Sequence, residues 1–392
     1  MSEKVFVCSA TAYEPEICEA AVEKLFAALP VCDKIDGSTK LLLKPNLLAR
    51  ATPEKAVTTH PEILRAVIHA CLRRGAKKEN IIVADSSGGV YNPAQMKLMY
   101  QITGLWNVCQ EEGVCAYTDC ESVTVPISHG KVVREFELLK PVVEADFIIN
   151  LPRLKTHVMT GLTAATKNLF GTIPGLKKAE WHMRFPDKDQ FGNMLIDLLL
   201  TVKPTIAVLD GIVGMEGNGP NGGMPKHLGL LMAGQDMLNL DLAAAELIGL
   251  DAMRVPYLKA ANERGLCAQK FDFSDLALEP ECFIAVLPTL WVLPESYLSS
   301  DSRGNTDFAA TVPNFLKPLV RSIENKLAPH PFINTAKCVG CGKCAEICPQ
   351  HTITMVNKKS NINSKNCIRC FCCHEMCPVK AIEVKQLKIF NH

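Results

Sequence analysis

The sequence predicts an α/β protein: a two-lobed core with mostly parallel sheets, followed by a small, cysteine-rich C-terminal α+β domain. Three observations predict it. Short apolar runs alternate with amphipathic ones through most of the 392 residues, the rhythm of strands and helices that builds a helix-covered parallel sheet. Two glycine-rich loops directly follow apolar runs, at the carboxyl ends of predicted strands, where open sheets place their ligands. Finally, the last 60 residues hold nine of the 18 cysteines, a density that points to a metal site rather than a hydrophobic core.

In chain order, residues 4–8 and 40–43 read as strands with a helix over 15–29 between them. His60-Pro61 opens a second helix that closes at Gly75. Residues 80–84 form a buried strand that runs into Asp85-Ser86-Ser87-Gly88-Gly89. Residues 114–138 turn to period-two runs, 123–127 and 132–138, the pattern of an antiparallel insertion. Strands at 145–150, 205–209 and 228–232 and a helix at 238–250 complete the alternation. Residues 279–331 carry seven prolines and read as a wrapping segment and linker. The expected division is a core at 1–328, a linker at 329–336 and the cysteine domain at 337–386.

At 48% apolar residues the chain can bury a large core, and its formal charge of +1 offers no general attraction to nucleic acid or membrane. Neither is expected as a partner. Glu3, Glu14 and Glu16 interrupt any leader pattern, and the most apolar stretch, 195–209, contains Asp197, Lys203 and Pro204, so no membrane span and a cytoplasmic location are expected. The nine scattered cysteines suit a reducing compartment, and an anaerobe would best tolerate exposed clusters.

Cys338, Cys341, Cys344 and Cys348 are spaced C-x2-C-x2-C-x3-C and followed by Pro349; 29 positions later come Cys367, Cys370, Cys373 and Cys377, followed by Pro378. Two intervening residues let a tight loop turn successive sulfurs toward one cube, and structural zinc sites instead show two separated cysteine pairs. The spacing resembles that of two-cluster bacterial ferredoxins, a resemblance that implies that the fourth cysteine of each run serves the other cluster. The expected ligand sets are therefore Cys338, Cys341, Cys344 and Cys377 for one [4Fe-4S] cluster and Cys367, Cys370, Cys373 and Cys348 for the second. Cys372 stands outside the pattern. The stretch resembles two-cluster bacterial ferredoxins over about fifty residues, which implies a ferredoxin-like domain and a redox partner protein.

The strand at 145–150 leads into a local cationic stretch. From Arg153 to Arg184 there are six lysines or arginines against one acid, Glu180, with His157 and His182 among them. Small residues around Gly161 would let backbone N–H groups approach an anion at a helix N-terminus. Lys155, His157, Gly161, Lys167, Asn168 and His182 are thus candidate site residues. A second loop, from Asp210 to Gly223, holds six glycines in fourteen residues; it lacks the Lys-Ser or Lys-Thr of a phosphate loop and reads as a lid or close-approach loop. Asp85 and Asp210 each end an apolar strand before glycines, where a carboxylate binds a metal or ligand hydroxyl or caps the turn.

Lys44-Pro-Asn46, Ala84-Asp-Ser-Ser-Gly-Gly89, Pro152-Arg-Leu-Lys-Thr-His157, Gly161, Lys167-Asn168, Gly171 and Asp210-Gly211 together resemble the iron–sulfur-containing members of the domain of unknown function family 362. That resemblance implies an α/β core fused to two [4Fe-4S] clusters, without a settled reaction. His157, Lys167, Pro174-Gly175 and His182 are also similar to a pattern in lactate racemase and its relatives, which carry a nickel-pincer nucleotide on a lysine. Leu48-Ala-Arg50-Ala-Thr52-Pro53 resembles that family's anion-binding turn. Where those enzymes place a catalytic Gly-His-Arg, this chain has Asp85-Ser86-Ser87-Gly88, so two-base racemisation would lack a base.

These features point to a reductase passing electrons from two [4Fe-4S] clusters to an anionic small molecule or second organic cofactor in the core. Lys167, Lys155 and Arg50 would hold a carboxylate or phosphate, and His157 or His182 would donate a proton near the ordinary imidazole pKa of about 6.5. The alternatives are an electron carrier or assembly factor acting on a partner protein, and a racemase-like enzyme with an appended redox domain. A reductase requires a closed cationic pocket beside the clusters; a carrier requires an exposed apolar patch and no pocket.

Overall fold

The computed structural model describes residues 3–287, 291–294 and 329–385, and most of the proline-rich wrapping segment lies outside them. Among the described residues the core strands are β1 (Val5–Ser9), β2 (Leu41–Lys44), β3 (Ile81–Val83), β4 (Cys115–Ala116), β5 (Ser122–Pro126), β6 (Glu135–Leu139), β7 (Phe147–Asn150), β8 (Arg153–His157), β9 (Gly161–Thr163), β10 (Ile206–Glu216), β11 (Met224–Gly234) and β12 (Leu276–Leu278). The central sheet runs β12-β1-β11-β10-β7-β2-β3-β4. Along this path only β11 runs against the others. β2 and β7 are buried along their whole length, which is why they read as unbroken apolar runs.

The two expected lobes are the two faces of this one sheet. On one face the helices Pro15–Ala27 and Pro61–Arg73 pack Phe26, Val67 and Ile68 against Leu41, Leu43 and Ile149. On the other, the helices Lys188–Val202 and Met237–Leu247 pack Leu195, Leu198 and Leu240 against Leu42 and Ile148. Adjacent strand residues therefore feed opposite cores, and each buried Leu or Ile contributes about 1.5–3 kcal/mol. Local chemistry starts the helices: His60 Nδ1 accepts from Glu62 N (3.3 Å), Asp187 from Gln190 N (2.9 Å) and Asp236 from Leu238 N (2.8 Å). The antiparallel insertion is the β5–β6 hairpin, with Val123 opposite Leu138.

The strand expected at 205–209 continues to Glu216, so the first half of the anticipated glycine-rich lid is extended backbone paired with β11 and β8. Gly214 fits there because a Cβ would meet Trp291 at 2.8 Å and the Leu154 carbonyl at 3.0 Å. This extension carries β8 and β9 past the end of the sheet, with Met215 opposite Lys155 and His157 opposite Gly161. The carboxyl ends of β2, β3 and β7 thus deliver Lys44–Asn46, Asp85–Gly88 and Arg153–His157 to one edge.

The small domain is built from β13 (His330–Ile333) paired with β16 (Ile382–Lys385), the hairpin β14 (Ile353–Val356) to β15 (Lys359–Ile362), and the short helices Lys343–Ile347 and Cys372–Glu375. Residues 329–336 are therefore not a linker: β13 belongs to the domain because its carbonyls and amides pair with its last strand. Among the described residues no helix is long and apolar enough to cross a membrane.

Candidate functional site

Three cations are buried at the sheet edge with defined partners. Lys44 Nζ lies 3.0 Å from Asp85 Oδ1, and both side chains are buried. Asp85 also accepts from Leu47 N (2.6 Å) and Ser86 N (2.9 Å). Gly171 has no room for a side chain, because a Cβ there would collide with this carboxylate. Lys155 Nζ donates to Asn46 Oδ1 (2.6 Å) and the Val57 carbonyl (2.7 Å), and burial lowers its pKa to about 7. Lys178 Nζ is surrounded by the carbonyls of Ile173 (2.6 Å), Ser86 (3.0 Å) and Ser87 (3.2 Å) and by the Ser86 hydroxyl. Three carbonyls match the three donors of an ammonium; burial nonetheless brings its pKa to about 7.

Lys167 is different. It is 8% exposed, and among the described residues its ammonium makes no hydrogen bond or close ion pair, the Glu375 carboxylate acting on it only at longer range. It sits 4.4 Å from the Phe170 ring centroid and 5.7 Å from that of Phe191. Ring faces attract a cation but do not neutralise it, and burial lowers its pKa.

Lys155, Lys167 and Lys178 line one cavity of about 70 Å³, together with His157, Asn168, His182 and Asp85. The small domain adds Ile347, Cys372, Glu375 and Met376 to its wall. His157 Nδ1 accepts from Met159 N (3.0 Å) and Thr160 N (3.3 Å), which assigns the ring proton to Nε2. That nitrogen is 3.3 Å from Glu375 Oε1, a charge-range contact without hydrogen-bond alignment. Among the described residues, four buried polar atoms on the lining have no hydrogen-bond partner: Thr163 Oγ1, Asn168 Oδ1, His182 Nδ1 and Glu375 Oε1. Buried polar groups are normally paired, so this cavity has the donors and acceptors of a binding site.

Of the residues expected from the sequence, Lys155, His157, Lys167, Asn168, His182 and Asp85 meet here. Gly161 shapes the β8–β9 turn at φ +76° without lining the cavity. Arg50 lines a neighbouring cavity. Asp210 lies elsewhere, buried against Arg153 Nη1 (3.1 Å) and Tyr13 Oη (2.8 Å); like Asp85, it is a counter-charge for a buried cation. The helix N-terminus expected to bind an anion is already occupied, because Asp241 accepts from Ala165 N (2.6 Å) and Thr166 N (2.9 Å). Proton donation near pH 6.5 also fails for both histidines. Burial and the nearby Lys167 charge hold His157 well below the usual imidazole range and His182 at about 3, so both rings are neutral. Glu375 and Cys372 were not legible as site residues; only the off-pattern position of Cys372 hinted at a separate role.

The cysteines fall into two further cavities of about 20 Å³ each. One is lined by Cys338, Cys341, Cys344 and Cys377, the other by Cys348, Cys367, Cys370 and Cys373. Among the described residues no three His, Cys, Asp or Glu side chains converge as for a single metal ion. Four sulfurs spread around a cavity suit a cluster instead. Thr352 N donates to Cys348 Sγ (3.3 Å) and Ala381 N to Cys377 Sγ (3.1 Å), the same contact four residues past each run.

The small domain packs directly on the core. Asn221 Nδ2 donates to the Glu375 carbonyl (2.7 Å), Phe371 packs on Val158, and Met376 lies over Gly88 and Gly89. The fold and its cysteine cavities define an α/β protein with an appended ferredoxin-like iron–sulfur domain. Residues 330–378 match a 4Fe-4S dicluster domain, and residues 41–246 match the domain of unknown function DUF362. The chain belongs to the DUF362 family. It is 31% identical over 266 residues to a thylakoid-associated protein of Synechocystis sp., covering 67% of this chain and 78% of the relative. Among solved structures it is similar to a Thermotoga maritima protein (TM-score 0.37, 13% identity, 66% of this chain and 60% of that one). Lactate racemase apoprotein from Thermoanaerobacterium thermosaccharolyticum is another (TM-score 0.39, 14% identity, 62% and 56%). The chain thus spans less than two thirds of either solved structure, and neither likeness bears on the site.

Proposed function

We propose that the protein is an iron–sulfur reductase that passes electrons from two [4Fe-4S] clusters to a small anion, or to a second organic cofactor, in the 70 Å³ cavity. One observation carries this reading: the cavity that holds the unpaired Lys167 is walled by Cys372, Glu375 and Met376, which lie among the cysteines of both sets. Cys338, Cys341, Cys344 and Cys377 would hold one cluster, and Cys348, Cys367, Cys370 and Cys373 the other. Such clusters exchange single electrons at potentials of roughly −700 to +450 mV. Lys167 would bind the anion directly, with Lys155 adding to the field. The neutral His157 would orient the ligand through Nε2–H, while Glu375 Oε1 and Asn168 Oδ1 would accept from its N–H or O–H groups. A carrier or assembly factor has no need of such a cavity. A racemase is disfavoured because Asp85, standing where a second base is required, is tied to Lys44 and two backbone amides.

The test is anaerobic purification with iron, sulfide, nickel and chromophore analysis, followed by addition of small carboxylates and oxyanions to the reduced protein. An anion or resident chromophore that reoxidises the clusters in the wild type, but not in Lys167→Met, is the expected result. No response to any anion and no chromophore would move the protein to the carrier reading.

A further inference from the structure

A second, larger cavity of about 120 Å³ lies beside the first, again between the core and the small domain. Successive residues of one turn serve the two in alternation: Ser86 and Gly88 line the inner cavity, Ser87 and Gly89 the outer. The outer cavity is lined by four cations against one acid, Glu346. Arg50 and Lys55 come from the loop after β2, Lys343 and Lys380 from the small domain. Arg50 donates to Gln95 Oε1 and Lys380 to the Gly223 carbonyl (3.3 Å), but among the described residues none of the four is in an ion pair. Docking the domain brings Lys380 into the same cavity as Lys55 of the core. Four like charges gathered from two domains against a single acid disfavour the contact unless an anion joins them.

The opposite wall is apolar and partly uncovered. Val90 is 43% and Leu176 41% exposed, and Met99, Ile347 and Met376 continue the surface. We propose that the outer cavity binds a phosphate-bearing organic molecule. Its phosphate is held by Arg50, Lys55, Lys343 and Lys380, and its organic body lies against Leu176, Met99 and Met376. Phosphate fits better than carboxylate because a carboxylate brings one charge to four cations, whereas a di- or triphosphate brings several and matches the planar fork of Arg50. The site is separate from the inner cavity and independent of the reaction proposed there.

The experiment is calorimetric titration of the anaerobic full-length holoprotein with inorganic pyrophosphate and with ADP. Both bind, and ADP binds more tightly. The double variant Arg50→Gln/Lys55→Gln, which leaves the cysteine domain untouched, weakens both at least about tenfold, as expected for charge-assisted contacts. Leu176→Ala weakens ADP and leaves pyrophosphate unchanged. Lys167→Met, which disables the inner cavity, leaves both unchanged. Failure of both probes to bind, or binding that survives the double variant, overturns the site; loss of binding in Lys167→Met overturns its separateness; and ADP no tighter than pyrophosphate overturns the organic part.

Discussion

The two cysteine runs of the small domain share a spacing and a backbone path yet meet different surroundings. In the first, Gly340 and Gly342 take the left-handed turns, at φ +71° and +77°. Twenty-nine residues on, Arg369 and Phe371 hold the same turns at φ +54° and +59°. Non-glycine residues there cost about 1–2 kcal/mol each. Phe371 offsets that cost by packing on Val158, beside His157. Around the first run Cys341 is exposed and Val339 is 64% exposed; in the second, Cys372, Cys373, His374 and Glu375 are all buried. Cluster chemistry requires the turns, but the neighbouring surface decides which side chains can occupy them. The first run presents a solvent-facing loop and reaches the inner cavity through Ile347 alone, whereas the second supplies Cys372, Glu375 and Met376 to its wall.

The sharpest way to break this comparison is to remove cysteines. Cys377→Ala should behave like Cys341→Ala, each losing about half the iron, with the same cluster missing from the electron paramagnetic resonance spectrum. If Cys377→Ala instead loses the cluster removed by Cys370→Ala, the two runs do not exchange their fourth ligands. Next in size, Phe371→Ala should cost about 3–5 kcal/mol through lost packing, whereas Gly342→Ala, at the matching turn, should cost only about 1–2 kcal/mol of backbone strain. Thermal unfolding of the anaerobic holoprotein would read both, and equal losses would mean that the docking contact contributes little.

On the buried side, Lys167→Met should abolish the response to small anions while raising the melting temperature, because a buried ammonium that makes no hydrogen bond or close ion pair among the described residues is replaced by an apolar chain of similar length. A lower melting temperature would show that Lys167 is structural. The smallest effect is on pH. Lys155 and Lys178 titrate near 7 in the fold against 10.5 ordinarily. As pH rises through 7 they lose their charge, so affinity for anions should fall. Between pH 7 and 10.5 the unfolded chain binds more protons than the folded one, so the contribution of these lysines to stability should increase with pH over that window. Anion affinity and melting temperature moving in the same direction across it would contradict the assignment.

Much of this was legible in order along the chain. The apolar runs of β2, β3 and β7, the Pro61 and Gly75 helix signals and the cysteine spacing are local patterns, and local patterns survive in sequence because backbone period and ligand spacing act over a few residues. The concentration of Lys155, His157, Lys167 and His182 after a buried strand belongs to the same class, and it marked the cavity. Asp85 and Asp210 looked equivalent by position, and both proved to be counter-charges: only the fold decides that Lys44 and Arg153 lie opposite them. Burial, which no spacing encodes, neutralised His157 and His182. Glu375, more than 200 residues from His157, reaches the cavity only because Phe371, Asn221 and the bare Gly88-Gly89 turn seat the small domain on the core. The sequence by itself determined the main strands and helices of the core and the spacing of the cysteines; the cationic cavity between core and cysteines was decided by tertiary packing, because its walls are long-range contacts with no local signal.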